Sequence, residues 1–255
     1  MKKPALKHSA SGAFPWPRTL VTGATSGIGL ALTQLLAEAG APVLALGRQP
    51  QALEALQALH PNIVFIECDL SDLASLSALA SELTTRYGDL ACLINNAGTQ
   101  NNVRFDEAIA TVESIRHEID VNLTAPVALT RALLPQLQSQ ANGWVVNVTS
   151  GLAFAPKPSA AVYSATKAGL HLFTRALRLQ LQGHSVHVVE AIMPLVDTPM
   201  TQGRGSNKLP ALEAAAQILA GLRAGRQDIW VGKAKGIPWL QRFAPGVLNR
   251  IMQNG

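Results

Sequence analysis

The chain has little cysteine. It carries only Cys68 and Cys92, too few for a disulfide scaffold. Aromatic residues make up 5% and charged residues 15%, against 48% apolar, a balance that excludes a disordered chain and implies a large core. No apolar run approaches the ~18–20 residues that span a bilayer. The opening MKKPALKHSASGAFPWP is basic but lacks the apolar stretch of a signal peptide. It reads as a flexible leader over residues 1–17, with the cytoplasm as the default location. The six histidines form no zinc-like cluster. His184 and His187 enter a predicted strand, where a spacing of three puts them on opposite faces, so no metal site is expected. No internal repeat is visible.

Acidic residues are also scarce, and the formal charge is +5. The excess is localised. Residues 201–255 hold eight Lys/Arg against two Asp/Glu, and the leader adds Lys2, Lys3 and Lys7. Residues 18–200 hold ten bases and fourteen acids. A surface that coats nucleic acid is therefore excluded.

Short apolar runs alternate with helix-length segments. Predicted strands are Leu20–Thr22, Val43–Leu46, Ile63–Cys68, Ala91–Ile94, Trp144–Val148, Val186–Ala191 and Ile229–Val231. Predicted helices lie near 27–39, 51–59, 71–86, 107–138, 160–182 and 209–224. Strands apolar on both faces, in βαβα order, imply an α/β protein of three layers: a doubly wound, mostly parallel seven-stranded sheet with helices on both faces. The expected organisation is one domain over 18–231, followed by a separate tail, 232–255. In a 3-2-1-4-5-6 strand order Cys68 and Cys92 stand three strand spacings apart, about 14 Å. A disulfide needs Cα atoms within ~7 Å, so both thiols are expected to be free.

The segment Thr22-Gly-Ala-Thr-Ser-Gly-Ile-Gly29 follows the first strand and opens the first helix. Gly23 permits a tight turn, Gly27 lets backbone approach a pyrophosphate, and Gly29 lets helix and strand pack closely. Backbone N–H groups and the helix dipole then face the anion. The spacing is TGxxxGxG. Asn95-Asn96-Ala97-Gly98 follows the fourth predicted strand, Asp69-Leu70 the third, Ser150 the fifth, and Tyr163-Ser-Ala-Thr-Lys167 opens a helix. In this ordered set the sequence resembles the single-domain short-chain dehydrogenases/reductases over about residues 18–200. The resemblance implies a Rossmann-like fold and an NAD(P)-dependent oxidoreductase. It implies a cofactor site of Thr22, Gly23, Thr25, Ser26, Gly27, Ile28, Gly29, Arg48, Asp69, Leu70, Asn96, Ala97, Gly98, Tyr163, Lys167, Val196 and Thr198. It further implies a catalytic set of Ser150, Tyr163, Lys167 and Asn122. The stretches LINNAGTQ, TSGLAFAP and PLVDT resemble a bacterial subgroup linked by name to D-alanylation of cell-wall polymers.

These residue types suit hydride chemistry. Tyr163 and Lys167, four apart, share a helix face. A nearby ammonium favours the phenolate and is expected to lower the tyrosine pKa from near 10, so that the pair exchanges a proton with a substrate oxygen. Ser150, at a strand's C-terminal end, holds that oxygen in line. By the resemblance, Lys167 also grips the nicotinamide ribose, and Asn122 kinks its helix and holds a relay water. Any one of these residues has an ordinary structural reading, such as a packed aromatic, a turn serine or a polar contact. Their joint presence behind the glycine loop favours the functional one.

Strand 2 ends Leu46-Gly47-Arg48. Gly47 stands where the resemblance places the aspartate that binds the ribose 2′-OH of NAD, and Arg48 supplies a planar cation for a 2′-phosphate. NADP is therefore expected, with NAD as the alternative. After strand 6, Met193-Pro194 replaces the usual Pro-Gly, while Thr198 keeps its place. Residues 199–210 have the composition of a mobile lid or of a plain disordered loop. With Arg204 and Lys208, the lid offers a basic approach for an anionic substrate. The tail, with Lys233, Lys235, Arg242 and Arg250 among apolar residues, can dock on its own subunit, join an oligomer or touch an anionic membrane, though Pro238 and Pro245 interrupt a long amphipathic helix. A homodimer or homotetramer follows from the resemblance. The rival function is a non-catalytic NAD(P) sensor on the same fold.

Overall fold

The computed structural model describes residues 18–106 and 110–254. The predicted leader, 1–17, and residues 107–109 of the predicted helix 107–138 lie outside the described residues. The main sheet contains β1 (Arg18–Thr22), β2 (Val43–Gly47), β3 (Ile63–Glu67), β4 (Leu90–Asn95), β5 (Gly143–Ser150) and β6 (Val186–Met193). Two short strands, β7 (Val196–Asp197) and β8 (Leu209–Pro210), pair with each other outside it, and β9 (Asp228–Trp230) completes it. The order is β3-β2-β1-β4-β5-β6-β9 and every pairing is parallel. Consecutive strand residues alternate between two cores, as the pleat requires. Val21, Ala45, Ile94 and Val146 pack on the side of α1 (Gly27–Glu38). Leu20, Leu44, Leu93 and Val145 pack against residues of α3 (Leu76–Arg86) and α5 (Ala125–Gln138). β2 and β5 are buried throughout, which explains the unbroken apolar run of β2; β5 also buries Asn147, Thr149 and Ser150. The chain reverses its direction of travel across the sheet between β1 and β4, so their C-terminal ends open a crevice.

Three predicted helices differ in detail. The stretch 51–59 divides into a 3-10 turn, Pro50–Leu53, and α2 (Glu54–Leu59). The stretch 71–86 becomes helical only at Leu76, because Asp69 Oδ1 accepts the N–H and hydroxyl of Ser71 (2.9 and 2.8 Å) and closes a turn first. The single helix expected over 107–138 is α4 (Val112–Ile119), a π turn at Asp120–Thr124, and then α5. Pro126 explains the interruption: it has no N–H to bond back to the Asn122 carbonyl. α6 (Ala161–Gln180) and α7 (Ala211–Arg223) match their predicted positions within two residues.

Residues after β9 form a 3-10 turn, Gly232–Gly236, and two helices, α8 (Ile237–Phe243) and α9 (Pro245–Asn254). Each proline begins a helix, where its missing N–H costs nothing. Ile237 and Leu248 are buried with Ala155, Ile192 and Ala234, and Phe154, Leu240 and Met252 pack against them. This segment therefore lies against the C-terminal ends of β5 and β6. Both cysteines are free, and burial pushes both thiols up. No helix among the described residues is long and apolar enough to cross a membrane.

Candidate active site

The C-terminal ends of β1, β2, β4, β5 and β6 surround one cavity of about 990 Å³. Every predicted site residue lines it except Thr22, Gly29 and Asn122, which support its walls from behind.

The glycine loop forms one wall. Gly27 has φ +50°, and a Cβ there would stand 2.9 Å from Thr198 Cγ2. A Cβ on Gly29 would run into the Gly23 carbonyl. Both positions thus need glycine, one for its backbone conformation and one for close approach. No side chain caps the first turn of α1 at Ser26, leaving that turn's N–H groups for an anion in the cavity. Thr22 is a strut: its Oγ1 accepts the N–H groups of Asn96 and Ala97 at 3.0 Å each, and Asn96 Nδ2 donates to its carbonyl at 2.9 Å. The loops after β1 and β4 are thereby fixed to each other.

At the far end of this wall, a Cβ on Gly47 would come 2.6 Å from Thr25 Cγ2. An aspartate at this position is excluded unless Thr25 moves. Arg48 Nη1 lies 3.7 Å from Asp69 Oδ2, with both groups open to solvent. Hydrogen bonds from Ser71, aided by Arg48, hold the Asp69 carboxyl below its ordinary pKa.

Tyr163, Lys167 and Ser150 converge at the other end. Lys167 Nζ donates to the Val148 carbonyl at 3.0 Å and stands 5.6 Å from the Tyr163 ring centre. Burial lowers its pKa to about 8. Desolvation pushes the Tyr163 pKa up to about 12; the nearby Ser150 side chain opposes the rise and the Glu118 carboxylate adds to it. The expected lowering by Lys167 is thus reversed: desolvation favours the neutral form of both groups.

Asn122, in the π turn, accepts the Thr99 N–H and donates to the Thr99 carbonyl, both at 2.8 Å, and also donates to Thr166 Oγ1 at 3.3 Å. It fixes the loop after β4 against α6. A buried polar layer that was not singled out from the sequence supports the site. Asn95 donates to Asn147, and Asn147 to Thr174 (both 2.8 Å). Thr149, next to Ser150, donates to Glu190 at 2.6 Å, and Glu190 meets His171 Nδ1 at 2.8 Å. The available signal was Glu190 itself, a carboxylate inside the apolar run Val186–Met193.

The lid is folded around its base. Its ends pair in β7 and β8. Thr201 Oγ1 donates to the Val196 carbonyl at 2.6 Å, and the Thr198 N–H donates to Thr201 Oγ1 at 3.2 Å. Lys208 Nζ donates to the Thr201 carbonyl at 2.6 Å and stands 3.4 Å from Asp197. Lys208 also lines the cavity, with its ammonium tied to the loop's own backbone and to Asp197. α8 and α9 close this end of the cavity. A Cβ on Gly151 would meet Ile237 Cδ1 and Met252 Cε, each at 2.8 Å.

The family model described as short chain dehydrogenase matches residues 18–209. The chain is 37% identical over 224 residues to the oxidoreductase DltE of Bacillus subtilis, covering 86% of this chain and 89% of the relative. It is 31% identical over 245 residues to a fatty acyl-CoA reductase of Mycobacterium tuberculosis, covering 92% of this chain and 83% of that one. A short-chain dehydrogenase from Burkholderia cenocepacia, solved with NADP, superposes with a TM-score of 0.83 at 30% identity, covering 94% of this chain and 98% of the other. The chain belongs to the short-chain dehydrogenase family and is an NAD(P)-dependent oxidoreductase.

Proposed function

We propose that the protein reduces a small-molecule carbonyl compound with NADPH, with Tyr163 as proton donor. The observation that carries this reading is the group of half-buried Tyr163 with buried Ser150 and Lys167, lining the same cavity as the uncapped glycine-loop helix. The phenol, held protonated by burial, has the charge state that reduction demands.

The residues fit a dinucleotide. The N–H groups at the start of α1 would hold the pyrophosphate. Asp69 and Leu70 would border the adenine. The loop from Asn96 to Gly98, with Val196 and Thr198, would border the nicotinamide. Arg48 would bind a 2′-phosphate by exchanging its exposed Asp69 partner for the stronger anion, and glycine at position 47 supplies no carboxylate to repel it. The NADP in the Burkholderia cenocepacia structure supports the same preference, and NAD is the alternative cofactor.

When bound, the nicotinamide supplies the hydride. Ser150 Oγ donates a hydrogen bond to the substrate carbonyl and holds it in line. Tyr163 gives its proton to the substrate oxygen as that oxygen gains charge. The Lys167 ammonium stabilises the phenolate that remains and reaches the ribose hydroxyls. Asn122, fixed to Thr99, positions the helix behind the relay. Residues 18–231 carry this chemistry, and residues 232–255 wall the substrate end.

We also infer a homo-oligomer. Leu172 and Leu179 of α6, with Val112 of α4, expose large apolar side chains on neighbouring helices, a surface suited to a second copy. The free thiols agree with a reducing, cytoplasmic location. The test is NADPH consumption against a carbonyl panel. Carbonyl-dependent oxidation, slower with NADH, is expected. NADPH binding without turnover of any member would instead support the sensor reading.

A further inference from the structure

Arg204 is the cation that the mechanism leaves unused. Its backbone sits between Gly203 (φ +73°) and Gly205 (φ +60°). These two left-handed turns are open to glycine and strained for most other residues, and they set the chain's direction on either side of it. Its side chain is partly buried and lines the same cavity as Tyr163. The two are close enough for each to alter the other's ionisation. Among the described residues its guanidinium has no hydrogen-bond or ion-pair partner, unlike Arg18, Arg86 and Arg178. Two other charged residues that line the cavity from this side have partners. Lys208 is held by Thr201 and Asp197. Glu213, which also lines the cavity, accepts from Gln217 at 3.1 Å along α7. The cavity that Arg204 lines is also lined by Met200 from the same loop and by Ile237, Leu248 and Met252 from the C-terminal helices.

A partly desolvated guanidinium without a partner is costly unless a ligand's anion completes it. Its planar fork matches two oxygens of a carboxylate or phosphate. We propose that Arg204 is a specificity-determining residue that selects carbonyl substrates bearing an anionic group on an apolar skeleton, with the anion on the lid side of the reacting carbonyl. This rests on the reading of the Tyr163 end of the cavity as the substrate site. It divides the basic lid seen in the sequence into two parts, with Lys208 holding the lid and Arg204 reading the substrate.

The test is calorimetric binding to the NADPH-loaded enzyme, using hexanoate, butyl phosphate and neutral hexanamide as probes. NADPH binding is titrated first and reported separately, so a failure of the cofactor reading is seen before any probe is added. Wild type is expected to bind at least one anion roughly 10- to 100-fold tighter than hexanamide, the size of a charge-assisted hydrogen bond. The tighter of hexanoate and butyl phosphate identifies the anion. Arg204→Gln should remove the preference while NADPH affinity stays the same, Arg204→Lys should keep part of it, and Lys235→Gln on the exposed surface should leave it unchanged. Added salt should weaken anion binding in wild type and not in Arg204→Gln. Wild type that binds hexanamide as well as both anions overturns the proposal, as does an Arg204→Gln enzyme that retains the preference.

Discussion

The two ends of the cavity are built in different ways. The cofactor end is made of main chain. Its glycines stand where a Cβ would collide, and Thr22 fixes the loops by backbone hydrogen bonds. The substrate end is made of side chains from segments far apart in sequence: Met200 from the lid, Ile237 from α8, and Leu248 and Met252 from α9. A backbone cradle admits few substitutions and serves any chemistry that uses the same cofactor. A wall of side chains can be rebuilt residue by residue without disturbing that cradle. Tyr163, Ser150 and Lys167 sit at the junction.

The largest effect short of the catalytic residues should come at the substrate end. Ile237 is buried and presses on Gly151 beside Ser150. Ile237→Ala should lower folding stability by about 2–4 kcal/mol, read by denaturant unfolding, and raise the substrate KM several-fold. NADPH affinity should be unchanged. A matching loss of NADPH affinity would break the proposed independence of the two ends.

At the cofactor end, Arg48→Ala should weaken NADPH binding by roughly tenfold and leave NADH nearly untouched, as expected for loss of one exposed charged contact to phosphate. Equal losses for both cofactors would place Arg48 outside the 2′-phosphate site.

The smallest expected effect is on pH dependence at the junction. Tyr163, pushed up to about 12, keeps its proton through the neutral range, whereas Lys167, held down to about 8, loses its ammonium as pH rises through that value. Carbonyl reduction, measured as kcat/KM, should be level below about pH 8 and fall above it. Alcohol oxidation, which needs the tyrosine proton removed and the Lys167 ammonium in place, should climb with pH up to about 8 and level off above it.

Legibility follows the same division. The strand order, the glycine loop and the Tyr163–Lys167 spacing were readable because each depends on local pattern. Buried parallel strands leave unbroken apolar runs, and a helix places residues four apart on one face. The resemblance implies a kink at Asn122, and the kink is a π turn whose form depends on what Pro126 does to the Asn122 carbonyl. Pro238 and Pro245 were read as interruptions, yet each begins a helix, and nothing local marks that those helices close the substrate end. Arg204 and Lys208 are four residues apart on one loop with opposite assignments. Only the fold shows that Lys208 is bonded to the lid and that Arg204 is not. The pKa of Tyr163 was misjudged in sign because charge proximity is visible in a motif and burial is not.

The central claim is that Tyr163 donates the proton. It is tested most directly by measuring NADPH binding and carbonyl-dependent NADPH oxidation on the same preparations of wild type and Tyr163→Phe. The account predicts that the variant binds NADPH as wild type does and loses roughly 10²- to 10⁴-fold in kcat, the usual contribution of a positioned general acid. Equal turnover by the two proteins would contradict it.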